Sequence, residues 1–91
     1  MKEQIMQRMN ITEKQAEKLA EKLKGIDPSL EHILNQWFSD GIEDNDEEFE
    51  GYSVNSLKKQ FGMSFTGAIL TLDWLVRDPQ IAKAAILKGI K

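Results

Sequence analysis

Apolar residues recur at helical spacing along most of this chain, and each run is closed by a stop. In ITEKQAEKLAEKLKG, Ala16, Leu19, Ala20 and Leu23 form a stripe three and four residues apart, while Lys14, Lys18, Lys22, Glu17 and Glu21 fill the other sides. Thr12 with Gln15 three residues on has capping-box spacing, which predicts a helix over Glu13–Lys24, stopped at Gly25 in the left-handed conformation that glycine tolerates. Ile5, Met6 and Met9 suggest a short helix upstream, broken from the next at residues 10–12, with one continuous helix from Lys2 as the alternative. Asp27-Pro28 opens a core helix whose face is Leu30, Ile33, Leu34, Trp37 and Phe38, ending at Gly41. Asp78-Pro79 opens another, over residues 79–88 before Gly89.

Two further runs complete the set. Ser53 caps residues 54–61, closed by Gly62, and Ser64 caps residues 65–77. The latter is apolar nearly all round, with Asp73 its only charge before Arg77, and such a helix belongs inside. A strand over residues 68–76 would have no second strand to satisfy its backbone. The expectation is an all-α fold, a small orthogonal bundle of about five helices around a central helix at residues 65–77. Asp73, if enclosed, needs a base from another helix or would titrate abnormally.

A chain of 91 residues supports one domain, and 41% hydrophobic with 30% charged residues is ordinary globular composition. No Cys is present, which excludes disulfides, thiolate nucleophiles and thiolate metal sites. No run of eighteen apolar residues offers a membrane span, and the first ten residues lack the continuous apolar core of a secretory leader. Both point to a cytoplasmic protein. The net charge of -3 conceals segregation: residues 25–57 carry nine acids and no Lys or Arg, whereas the flanking segments are net basic. The acids concentrate in a linker at residues 42–52, IEDNDEEFEGY, expected to be an exposed and mobile loop.

Candidate chemistry is sparse. From Asp44 the linker fails the calcium-loop pattern twice, with Phe49 at the glycine position and Asn55 at the last. No metal site or cofactor is therefore expected. His32, the only histidine, follows Glu31 beside the apolar face of its helix, and no nucleophile or phosphate-loop motif accompanies it, so no enzyme activity is expected. Residues 52–72 resemble a helix-turn-helix motif in their turn, Phe61-Gly62-Met63-Ser64. That resemblance implies DNA reading through Lys58, Lys59, Ser64 and Thr66. It departs from the motif at the second helix, which would show Phe65, Ile69 and Leu70 where polar side chains must meet bases.

Phe49 and Tyr52 are the two aromatics outside helical core positions, and they stand among acids. A ring supplies contact area and carboxylates steer a basic partner, so the leading expectation is a small non-catalytic interaction module. Its partner-binding residues would be Phe49, Tyr52, Glu47, Glu48 and Glu50, with DNA binding as the alternative. A homodimer through Leu19 and Leu23 is a further possibility.

Overall fold

The computed structural model describes residues 2–89, leaving out the side chains of Arg8 and Met9. Met9's predicted apolar contact thus lies outside the described residues. Six α-helices follow in order: α1 (Lys2–Met9), α2 (Glu13–Lys24), α3 (Glu31–Asp40), α4 (Val54–Phe61), α5 (Phe65–Arg77) and α6 (Pro79–Leu87), with a 3-10 turn at Pro28–Leu30 before α3. The result is a small all-α bundle.

The local grammar explains the boundaries. Asn10 takes φ 51, a left-handed conformation that ends α1 and separates it from α2. The Thr12 hydroxyl accepts from the Gln15 amide at 3.3 Å, and the Gln15 side chain accepts from the Thr12 amide at 3.1 Å, as the capping-box spacing predicts. Lys2 reaches across to Glu13 at 2.8 Å and Glu17 at 3.4 Å, which ties α1 to α2. Those contacts hold the Glu13 carboxyl below its usual range, chiefly through the hydrogen bond from Lys2.

Gly25 differs from expectation. It sits at φ −87, not left-handed, because a new turn begins two residues on rather than a reversal at the glycine itself. There the Asp27 carboxylate caps the 3-10 turn by accepting from the Ser29 amide at 2.9 Å. Gly41 (φ 71) and Gly62 (φ 67) are left-handed, and they end α3 and α4.

Helix α5 packs against α4, α6 and the 3-10 turn, which makes it the hub of the bundle. Phe65, Ala68, Ile69, Leu72 and Leu75 are buried. Leu70, Trp74 and Val76 are only half-buried, so its wrapping is incomplete on one side. The Trp37 ring of α3 stacks on Phe65, centroids 4.7 Å apart and 15° from parallel, joining α3 to the start of α5.

The partner of Asp73 is the main correction. Among the described residues no base from another helix meets it. Its carboxylate instead accepts from Arg77 Nε, one turn along α5, at 2.8 Å, and from the Asp27 backbone amide at 2.7 Å. Arg77 also donates through Nη2 to the Gly25 carbonyl. The two side chains therefore grip the backbone where α2 passes into the 3-10 turn, on both sides of Ile26. This clasp answers the need of a largely enclosed carboxylate without a second helix's charge.

Candidate interaction surface

The acidic linker contains a structure that like-charge repulsion alone would not suggest. Phe49 and Tyr52 exchange backbone hydrogen bonds, the N···O distances being 2.7 and 3.0 Å, around a two-residue turn. Glu50 at φ 54 and Gly51 at φ 87 supply the pair of positive φ angles that a type I′ hairpin turn requires. Upstream, the Asn45 side chain accepts from the Glu47 amide at 2.9 Å, folding the chain locally, and the Asn45 carbonyl accepts from the Asn55 amide at 3.0 Å.

The side chains then anchor this loop to three helices. Lys58 of α4 pairs with Asp44 at 3.1 Å and Glu43 at 3.6 Å. Lys83 of α6 pairs with Glu50 at 3.0 Å. His32 of α3 is hydrogen-bonded to Glu47, and the Asn55 amide donates to Asp46 at 2.8 Å. Glu48 is exposed and unpaired among the described residues. The linker's carboxylates face solvent, and cross-links to α3, α4 and α6 hold it against the bundle. Each surface pair is weak, of order 0–1 kcal/mol, and several acting together fix the loop's course.

Of the five residues predicted to bind a partner, Phe49 and Tyr52 fold back and pack half-buried against the core. Glu47, Glu48 and Glu50 are exposed around them. The strap thus brings three carboxylates and two partly covered rings together. Sequence reasoning missed the anchors His32, Lys58, Lys83 and Asn55. Asn45 two residues before Glu47 was a readable turn signal, but the anchoring bases lie on other helices and carry no local signal.

The residues of the DNA-binding alternative are dispersed in role. Lys58 is committed to the strap, and Ser64 caps α5 by accepting from the Gly67 amide at 3.1 Å. Thr66 is buried and Lys59 is exposed. The N-terminal turns of α5, where a recognition helix would meet bases, are packed inward through Phe65, Thr66 and Ile69. Leu23 of the suggested dimer stripe is likewise buried within the chain, because α2 needs that face to close on the core, and Leu19 is half-buried.

Among the described residues no group of three or more His, Cys, Asp or Glu gathers in a geometry that could hold a metal ion. No described helix is long and apolar enough to cross a membrane. Comparison of the chain with protein-family models, curated proteins and solved structures gave no match.

Proposed function

We propose that this protein is a non-catalytic interaction module that binds a basic protein segment on its acidic strap. The observation that carries this reading is the gathering of six carboxylates within residues 43–50, five of them held by contacts, on a loop tied to α3, α4 and α6. Fixed charges recognise a partner with less ordering entropy than a free acidic tail, and the half-exposed Phe49 and Tyr52 offer ring surface beside them. His32 is engaged with Glu47 at an exposed position, a poor setting for a general base. DNA reading loses support because Thr66 is buried and Lys58 is neutralised by two acids.

A lysine- and arginine-rich peptide titrated against the folded protein tests the proposal. Binding should weaken with added salt and fall in Glu47→Gln/Glu48→Gln, both exposed positions whose replacement leaves the core intact. Equal affinity in that variant, or stronger binding to duplex DNA than to the peptide, would refute it.

A further inference from the structure

Several apolar features lie outside both the core and the acidic strap, among them a patch around half-buried Ile11 and Leu19, and two others are of opposite shape. One is a cleft of about 260 Å³ between the C-terminal end of α2 and α3. Leu23, Ile26 and Leu34 are its buried lining, Phe38 is half-buried, and exposed Lys24 and Glu31 line it from the α2 and α3 sides. The other is the outer face of α6. Ile81 is 58% exposed and Leu87 80% exposed, with exposed Ala84 between them and Lys88 beside Leu87.

These features are complementary in two independent respects. A protruding Leu matches an apolar cleft, which would remove from water the most exposed large hydrophobic side chain among the described residues. The charges match as well. Residues 79–89 carry Lys83 and Lys88 and no acid, whereas α3 and the strap beyond it are acidic. Lys83 is occupied by Glu50, but Lys88 has no partner among the described residues, and neither has Glu31 at the cleft. With Lys24 on the α2 side, Lys88 is attracted to the α3 side alone, which sets one orientation for the docked helix.

We propose that α6 of one copy docks in the α2–α3 cleft of a second copy, with Leu87 entering the cleft and Lys88 against Glu31. Every copy carries both elements, so the contact either is made twice about a two-fold axis, closing a dimer, or repeats head to tail into larger assemblies. This contact shares no residue with the strap's partner-binding face. It stands or falls separately from the proposed function.

Sedimentation velocity from low micromolar to near-millimolar concentration tests it. The wild-type mass should rise with concentration to that of a dimer or a larger head-to-tail assembly. Leu87→Glu should weaken association by roughly tenfold or more, since it takes a buried Leu out of the contact and puts a charge in its place. Glu31→Lys should weaken it by opposing two lysines, and Glu31→Lys/Lys88→Glu should recover it by reversing the pair. All three positions are exposed, and circular dichroism verifies that each variant keeps its helices. A wild type that stays monomeric throughout, Leu87→Glu associating like wild type, or a double variant no better than Glu31→Lys would each overturn the proposal.

Discussion

Replacing Asp73 tests the clasp on which the junction between α2 and α3 depends. Asp73→Ala removes the acceptor of the Asp27 amide and the counter-ion of Arg77 together. The Asp73 side chain is only 19% exposed, so water replaces it poorly, and a hydrogen bond to a charged group contributes ~1.5–3 kcal/mol. Arg77 is 52% exposed, so its pairing adds under about 1 kcal/mol after solvent screening. The expected loss is ~2–3 kcal/mol, or roughly 10–20 °C in Tm for a domain of this size. Asp73→Asn keeps an oxygen for the Asp27 amide and gives up the charge, so it should lose only ~1 kcal/mol. Equilibrium urea unfolding with unchanged m-values reads both. Alanine within about 0.5 kcal/mol of wild type, or asparagine as damaging as alanine, would show that the Asp27 contact does not hold the junction.

Two further outcomes follow from local features. The Asp27 carboxyl is held below its ordinary value, first by the Ser29 amide, then by the Ser29 side chain and the Arg77 charge. A depressed folded-state pKa means that the unfolded chain takes up the proton first on acidification. The stabilisation is thus complete above the unfolded value near pH 4 and is lost as pH falls through the folded one. Asp27→Asn, which retains capping ability, should flatten the decline in stability between about pH 5 and pH 2, and a slope equal to wild type would contradict this. In the hairpin turn, Glu50→Asn should raise stability by ~0.5–1 kcal/mol, since asparagine tolerates positive φ and the exposed Lys83 pair it gives up is worth little. A loss of stability on that change would mean that the Lys83 contact dominates the turn strain.

The helices were legible because their signals are local. Thr12 and Gln15, Ser53, Ser64 and the two Asp-Pro steps each specify a boundary within four residues, and an element begins at each, although Asp27-Pro28 opens the 3-10 turn ahead of α3 and Asp78 makes no capping hydrogen bond. What escaped depends on distant pairing. Asp73 is 46 positions from Asp27 and Arg77 is 52 from Gly25, so no spacing rule connects them. The linker was legible as acidic and exposed, but its course was not. Glu-Gly is a weaker hairpin signal than Asn-Gly, and the turn forms because Gly51 takes one of the positive φ angles without strain and the flanking rings pack down. Incomplete wrapping of α5 was hidden for another reason: hydrophobicity all round says that a helix prefers enclosure, not that five short neighbours can supply it.

The strap's own bases have a consequence for selectivity. Lys58, Lys83 and His32 already occupy four of the six carboxylates, and because they are tethered they compete as if present at millimolar concentration or above. A single foreign lysine therefore exchanges one contact for an equivalent one and gains almost nothing. Only a ligand that brings several cations at once, in register with the loop, displaces the resident set with net benefit. If the strap takes a basic segment as proposed, discrimination would follow from the spacing of positive charges in that segment, and singly charged surfaces would be turned away.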